Sequence, residues 1–280
     1  MATETITNQE APNTLLSDST IKILDLLCEG PVLGFVSKDG GVTTDPLMSV
    51  YFDDVPVRNT DGSYNYNVSG SGFFFDYTRG FASQSGITGF QKVETVLPLS
   101  SNTLISNPVA GQGPYKTVVT SFNTSTYPDA DSVKITIRIP ALYSQDNNGN
   151  TNGYEIGFAV DIALNNGPYV AQSPAGSVAS TPEILINGKC TTPYLKTFTY
   201  VLPKTNESSY SWRVRVRRTT QDMQTIRVQN AIFVDSISIV STNGYAYPNT
   251  VLSAIEIASS QFSAVPTRSY DLFGMLVSVP

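Results

Sequence analysis

The residues with the clearest capacity for chemistry lie in the segment 211–222, where arginine alternates with apolar residues. Four of the 17 lysine and arginine residues of the chain fall within six positions, and these are Arg213, Arg215, Arg217 and Arg218. The apolar residues between them are Trp212, Val214 and Val216. Because successive side chains of a strand point to opposite faces, this pattern predicts a strand with an apolar core face and a guanidinium face.

The guanidinium face has two interpretations. It could be the exposed side of a sheet, where charged side chains maintain solubility and discourage edge pairing. It could also be a docking surface, because arginine pairs well with carboxylates and aromatic rings across interfaces. We take the four arginines as candidate interface residues, and we expect joint replacement of Arg213, Arg215 and Arg217 by serine to leave the sandwich folded but weaken assembly.

Three consecutive phenylalanines, Phe73, Phe74 and Phe75, form the second candidate interface. On a strand, three neighbouring rings cannot all face one core. At least one ring is therefore expected to lie against a neighbouring subunit or under a loop. A strand that is buried on both faces would explain the same residues.

The composition excludes most types of catalytic and metal-binding site. The chain contains no histidine, which excludes Ser-His and Cys-His nucleophilic catalysis, histidine-ligated zinc and a histidine pH switch. The two cysteines, Cys28 and Cys190, are expected to be buried thiols, although a single bridge between them stays possible. We therefore predict a protein that is not an enzyme and uses no cofactor.

The acidic residues show no spacing typical of an active site. Adjacent Asp53 and Asp54 are predicted to lie in a turn or at a strand end, because neighbours on a strand point apart. The loop 146–153 has Thr151 at the sixth position and Gly157 at the twelfth, where a calcium loop needs glycine and glutamate. A glycosidase would need two carboxyl groups about 5–10 Å apart. The sequence gives no reason to pair any of Asp129, Asp131 and Glu155.

Charge and hydropathy restrict the partners. The 280 residues carry a net charge of −6, which argues against binding of a nucleic-acid backbone as the main task. The N-terminus lacks a basic start followed by an apolar run, and the sequence has no run of 18 apolar residues. We expect the chain to be made in a cytoplasm, with no direct membrane insertion by this segment.

The elements are predicted to be mainly strands. Fifteen tyrosines, 13 phenylalanines, 20 glycines and 17 prolines are typical of an all-β protein with many turns. Alternating apolar residues predict strands at 132–139, 154–164 and 232–239, the last with Ile237 and Ile239 in the apolar pattern and Val234 outside it. One helix is predicted, from the capping residues after Ser17 to the stop at Gly30-Pro31, with Ile21, Leu24 and Cys28 on one face.

Four segments follow from these patterns. Residues 1–16 are predicted to be an N-terminal arm that orders only against a partner. Residues 17–95 and 244–280 are expected to form one β-rich domain, and residues 96–243 a β-sandwich inserted between them. The predicted fold class is mainly β, with few short helices.

Three blocks of sequence resemble one protein family. They are L-L-C-E-G-P-V-L-G-F-V at 26–36, V-Y-F-D-D-V-P-V-R-N-T-D-G-S at 50–63 and Y-P-N-T-V-L-S-A-I-E-I at 247–257. The arginine-rich strand before the third block and the ending R-S-Y-D-L-F-G-M-L-V-S-V-P at 268–280 fit as well. Together they resemble the N-terminal region of the tip attachment protein J family of lambda-like tailed phages, the central hub of the tail tip.

The resemblance implies a structural role in a virion. It implies a homotrimeric hub ring that closes the distal end of the tail tube and lies on the DNA exit path. The ring would be assembled in the bacterial host cytoplasm and would reside in the tail tip of the virion. The implied partners are the tape measure protein, distal tail and tail tip proteins, and side or central fibres, with no sequence-specific nucleic acid. Family members usually continue through further hub and fibronectin-like domains.

A different class of function stays open beside this one. A tyrosine- and tryptophan-containing β-sandwich with asparagine-rich loops is a common carbohydrate-binding surface, here for host attachment. That function would need two or three coplanar exposed rings. Trp212 is the only tryptophan, and its alternation with arginine predicts that it is buried, which disfavours the carbohydrate-binding interpretation.

Overall fold

A computed structural model of the chain describes residues 9–17, 20–68, 73–90, 92–100, 103–177, 181–223, 225–242, 245–258, 261–262 and 264–275. The chain divides into two compact units. Unit 1 comprises residues 1–17 and 93–242, and unit 2 comprises residues 18–92 and 243–280. Unit 2 is therefore discontinuous in sequence, with most of unit 1 inserted between its two parts.

The described elements are strands with one short 3-10 helix at Pro46–Ser49. The strands before the midpoint of the chain are β1 (Thr20–Glu29), β2 (Val32–Phe35), β3 (Val50–Phe52), β4 (Val55–Pro56), β5 (Phe73–Tyr77), β6 (Lys92–Val96), β7 (Leu104–Ile105), β8 (Thr117–Asn123) and β9 (Ala130–Ile139). The later strands are β10 (Tyr143–Gln145), β11 (Thr151–Asn152), β12 (Tyr154–Leu164), β13 (Val170–Gln172), β14 (Glu183–Gly188), β15 (Tyr194–Val201), β16 (Ser211–Arg218), β17 (Val228–Gln229), β18 (Ile232–Thr242), β19 (Thr250–Ala258), β20 (Arg268–Tyr270) and β21 (Leu272–Gly274). The predicted mainly β fold class is confirmed.

Unit 1 is a sandwich of two antiparallel sheets. One has the order β13-β12-β16-β8, with β14 also paired to β12, and the other has the order β15-β9-β18-β6, with β7 on β18. Apolar side chains from both sheets share one core, as expected when the inner faces of two sheets stack. A small sheet, β11-β10-β17, adds to this unit.

Of the strands predicted to alternate in unit 1, β9 does so, whereas β12 is buried continuously from Ile156 to Ala163 and β18 departs from the pattern at Val234. Every second residue of β9 from Val133 to Ile139 is buried. Val234, predicted to lie outside the apolar pattern of β18, is fully buried. The register of β18 against β9 shifts between Val234 and Ser236. This bulge adds one residue, so Val234 and Ile237 face the same core although their spacing is odd.

Unit 2 contains three small sheets, with strand orders β1-β19-β5, β2-β21 and β20-β3-β4. Its core is built around the fully buried residues Phe35, Val50, Val57 and Ile255, surrounded by half-buried aromatic rings. Phe35 packs edge-on against Phe75 and Tyr77. Strands from both ends of the chain build this core, because β19 pairs with both β1 and β5.

The predicted helix after Ser17 is wrong, because residues 20–29 form strand β1. The side chains of Ile21, Ile23 and Leu27 pack on the unit 2 core, while Leu24 and Leu26 point to the other face. Apolar residues on both faces of this strand imitate the three- and four-residue spacing of a helix. The long antiparallel pairing with β19 decides the conformation, because tertiary pairing overrides a local pattern.

The described part of the predicted arm, residues 9–16, lies on unit 1 of the same chain. Thr14 and Leu15 donate main-chain hydrogen bonds to the carbonyl oxygen of Lys189 at 3.0 Å. The buried Nζ of Lys189 donates to the Glu10 carboxylate at 2.8 Å and also binds the carbonyl of Ala11. These residues are therefore ordered by their own chain rather than only by a partner. Residues 1–8 lie outside the described residues.

The predicted turn at Asp53 and Asp54 is confirmed. Both residues have positive φ, 47° and 66°, which is the geometry of the tight turns that connect hairpin strands, here β3 and β4. The Asp53 carboxylate accepts hydrogen bonds from the main-chain N–H and the hydroxyl of Thr267, both at 2.8 Å.

No helix among the described residues is long and apolar enough to cross a membrane.

Candidate functional site

The apolar face of β16 lies inside the unit 1 sandwich. Trp212, Val214 and Val216 are all fully buried, which confirms the predicted burial of the tryptophan. The indole N–H of Trp212 donates to the carbonyl oxygen of Pro203 at 2.7 Å, so its one polar atom is satisfied. Tyr210 packs edge-on against the indole, with ring centroids 4.9 Å apart.

The opposite face of β16 carries a hydrogen-bonded network centred on Asp161 of β12. Asp161 stands directly across from Arg215 in the antiparallel register. One carboxylate oxygen, Oδ2, accepts hydrogen bonds from Arg215 Nε at 2.9 Å, Arg215 Nη2 at 2.7 Å and Arg217 Nε at 2.9 Å. The bond to Asp161 raises the pKa of Arg217. The carboxylate is buried and the two guanidinium groups are about one-third exposed.

Tyr169 extends this network along the strand. Its ring lies under two guanidinium carbons, at 4.2 Å for Arg215 and 5.1 Å for Arg213, so both arginines make cation–π contacts. Arg213 also donates through Nη2 to the carbonyl oxygen of Gly167 at 2.9 Å. Three positive groups therefore meet a single carboxylate and one ring within this network.

Arg218 lies apart from the other three arginines. It follows Arg217 directly and points to the core side, where only 2% of its surface is exposed. Its guanidinium donates to the carbonyl oxygens of Thr220 and Asn230 and forms an ion pair with Asp222 at 2.8 Å. Burial lowers the pKa of Arg218, while the Asp222 charge opposes that change. Arg218 therefore differs from the expected surface residue, because its donors are used inside unit 1.

The three phenylalanines divide between the two faces of β5. Phe73 and Phe75 pack on the core of unit 2, whereas Phe74 points to the other face and is 36% exposed. Phe74 stacks on Phe90, with ring centroids 5.8 Å apart and planes inclined by 19°. Phe90 belongs to the segment after β5, so Phe74 lies partly under a loop of its own chain, one of the two placements predicted for such a ring.

Sequence patterns alone missed Asp161 and Tyr169, the residues that order the arginine face. A signal for Asp161 was present: it interrupts the apolar run F-A-V-D-I-A-L at 158–164. A carboxylate inside a buried strand requires a charged or hydrogen-bonding partner. The partner itself could not be read from the sequence, because β12 and β16 are paired across about 50 residues of intervening chain.

Two of the acidic residues considered as an acid-base pair, Asp131 and Glu155, lie on different sheets of unit 1. Asp131, at the start of β9, binds Lys204 Nζ at 2.6 Å, whereas Glu155, on β12 in the other sheet, accepts from Asn187. In the loop 146–153, the Asp146 carboxylate accepts from Asn148 and Asn150. Across the described ranges, no group of three or more cysteine or acidic residues has the arrangement of a metal site.

Both cysteines are free thiols. Cys190 is buried in unit 1, as predicted, and burial raises the pKa of its thiol. Cys28 belongs to unit 2 and is only half-buried. The bridge that the sequence left open is therefore not formed.

Comparison with known proteins gives a consistent family assignment. The family model of the FNIII-A domain of tip attachment protein J matches residues 115–263, more than half of the chain. This range begins just before β8 and ends just after β19, so a fibronectin-type domain lies within this chain, whereas the resemblance alone had placed such domains beyond it.

Two relatives match nearly the whole chain. Tip attachment protein J of Escherichia phage SECphi27 is 28% identical over 273 residues, which cover 97% of this chain and 20% of that protein. Tip attachment protein J of Escherichia phage SECphi4 is 28% identical over 274 residues, which cover 98% of this chain and 21% of that protein. The chain thus spans about a fifth of the length of these relatives. From the extent of the family match and these alignments, the chain belongs to the tip attachment protein J family.

Proposed function

We propose that this chain is the hub portion of a phage tail tip, a structural part rather than an enzyme. The observation that carries the proposal is the alignment of 97% of the chain, through both units, with a phage tip attachment protein. In this proposal three copies form a ring that closes the distal end of the tail tube. In this proposal the protein resides in the tail tip of the virion, after assembly in the cytoplasm of the bacterial host.

The proposed partners lie on two sides of the ring. The tape measure protein contacts it from the tube, and distal tail proteins or fibres are held outside. The ring lies on the DNA exit path, and the net charge of −6 supports this position, because an acidic wall repels a phosphate backbone rather than retaining it. The absence of histidine from the sequence agrees with a role that needs no general base.

The test is the symmetry and mass of the full-length protein. Native mass measurement of the purified protein is expected to give three copies per assembly. Images of intact virions are expected to show three-fold density at the tail tip, labelled by an epitope placed in the exposed loop 146–153. A protein that is a single copy in the particle, or that labels another part of the virion, would overturn the proposal.

The carbohydrate-binding alternative has weaker support. It needs exposed coplanar rings, and the single tryptophan, Trp212, is fully buried. Tyr169, a ring on the outer face of the sandwich, is covered by guanidinium groups of Arg213 and Arg215. A glycan array with the full-length protein separates the two proposals, since the structural hub predicts no binding that depends on unit 1.

A further inference from the structure

The sheet β1-β19-β5 of unit 2 has two lateral edges, formed by β1 and β5. Strand β1 is ten residues long, and among the described residues it pairs only with β19. Alternate main-chain N–H and C=O groups along its other side therefore have no strand to bind. A long edge of this kind is a template for a further strand.

Both faces of β1 are apolar. Ile21, Ile23 and Leu27 face the core of unit 2. On the other face Leu24 is 37% exposed and Leu26 is 66% exposed. A strand that is apolar on both faces is typical of a position inside a sheet, with neighbours on each side, rather than of an edge that stays in water.

The charges inside β1 do not protect this edge. Lys22 forms an ion pair with Glu256 at 2.9 Å and lies 5.4 Å from the centre of the Phe90 ring. Asp25 is bound by Arg268, with 2.6 Å between Nε and Oδ2. Lys22 and Asp25 are each neutralised within unit 2, so neither remains to repel an approaching strand, and the third charge, Glu29, lies at the end of the strand. The register shift of β1 lies near its end, after Leu26, which leaves residues 20–26 regularly paired.

The opposite edge, β5, offers a matching surface. Both β1 and β5 are antiparallel to β19, so they run in the same direction. Two core-facing rows of the sheet are apolar from one edge to the other, and the third, Asp25 with Ser253 and Tyr77, is polar. The two apolar rows are Ile21 with Ile257 and Phe73, and Ile23 with Ile255 and Phe75. A second copy placed beside the first would therefore continue both rows without interruption.

We propose that β5 of one copy pairs with β1 of the next, head to tail, and that this contact closes the ring. The inference rests on the proposed function and names the surface through which the copies meet. In this contact Phe74 of the neighbouring copy, with the Phe90 stacked on it, continues the outer-face row of Lys22 and Glu256, next to the row of Leu24. Because the two edges are different, the contact is heterologous. A heterologous contact forms a closed ring when the rotation between neighbouring copies closes, as the proposed three-fold hub requires.

A disulfide tests the contact directly. Aligned rows bring Asp76 of one copy beside Leu24 of the next, on the outer face. Within one chain both residues lie opposite Ala254, so they are separated by two strand spacings, or about 9.5 Å, which is too far for a disulfide. The full-length protein carrying Leu24→Cys, Asp76→Cys and Cys28→Ser is expected to give covalent dimers and trimers on oxidation.

A charge substitution tests the same surface independently. Leu26→Glu places a carboxylate at the exposed side of β1 and is expected to convert the assembly to monomers, measured by native mass. The matched control is Val201→Glu, because Val201 is 64% exposed on β15, an edge strand of unit 1. The control is expected to keep the wild-type mass, and circular dichroism checks that both variants fold.

The outcomes separate this inference from the proposed function. A wild-type trimer with no cross-link in the double-cysteine variant overturns the β1–β5 contact and leaves the ring intact. Cross-linked dimers from Leu24→Cys alone would show pairing of β1 with β1 and also overturn it. A wild-type protein that is monomeric in solution and in the virion overturns both proposals.

Discussion

At the scale of single residues, Asp161 orders the arginine face of β16. Its buried carboxylate accepts three hydrogen bonds from two arginines. The expectation that joint replacement of the arginines leaves the sandwich folded therefore changes, because it would leave an unpaired charge in the interior. Such a charge is among the most destabilising changes in a protein.

We predict that Arg215→Ser lowers the free energy of unfolding of unit 1 by about 2 kcal/mol, the range for hydrogen bonds to a charged group. Arg213→Ser is the matched control, because Arg213 contacts Tyr169 and Gly167 but not Asp161. Arg213→Ser is expected to lower the free energy of unfolding by less than half as much as Arg215→Ser. Urea unfolding followed by Trp212 fluorescence measures both, and equal losses would contradict the central role of Asp161.

Tyr200 gives a prediction of opposite sign. Its hydroxyl is buried, has no hydrogen-bond partner within the described part of the chain, and burial raises its pKa. A buried hydroxyl without a partner costs about 1–3 kcal/mol, so Tyr200→Phe is expected to keep or increase thermal stability. Tyr270→Phe, which removes a donor to Asp25 at 2.5 Å, is expected to decrease it. Loss of stability in Tyr200→Phe would indicate a bound partner for the hydroxyl.

At the scale of elements, Asp25 joins β1 to β20. Burial raises the pKa of Asp25, but the hydrogen bonds from Arg268 and Tyr270, with the arginine charge, outweigh burial and lower it below 3.8. A carboxyl whose folded pKa is depressed stabilises the fold above the unfolded pKa and loses that contribution as pH falls through the folded value. Unit 2 is therefore expected to lose stability below about pH 4.

The pH dependence can be measured by thermal unfolding between pH 7 and pH 3. Asp25→Asn is expected to lower the midpoint at pH 7 and to reduce its decline in acid. Asp76→Asn is the control, because Asp76 is exposed and accepts a hydrogen bond from the neighbouring N–H of Tyr77. A steep acid decline that persists unchanged in Asp25→Asn would show that other carboxyl groups control the acid stability of unit 2.

The elements also show where local patterns mislead. Alternating apolar residues predict strands β9, β12 and β16, although β12 proves to be buried on both faces. Strand β1 was predicted as a helix because it is apolar on both faces. The two apolar faces of β1, which made the helix prediction wrong, are also the observation that suggests a neighbouring copy at this edge.

At the scale of the whole molecule, the net charge of −6 predicts weak interaction with DNA. We expect the full-length protein to show no binding of duplex DNA in fluorescence anisotropy at physiological salt, because phosphate binding depends on an excess of positive groups. The partly exposed guanidinium groups of the arginine face could oppose this. Binding that weakens with salt and disappears in Arg213→Ser would contradict the prediction and identify that face as a DNA contact.

The sequence alone determined the mainly β class, the burial of Trp212 and the lack of histidine chemistry. These properties depend on composition and on a period of two residues, which are local. Only the tertiary structure decided that Asp161 binds the arginines, that Arg218 is internal and that β1 is an edge strand. These facts depend on pairing between distant segments, such as β1 with β19, and no local pattern encodes a partner more than 200 residues away.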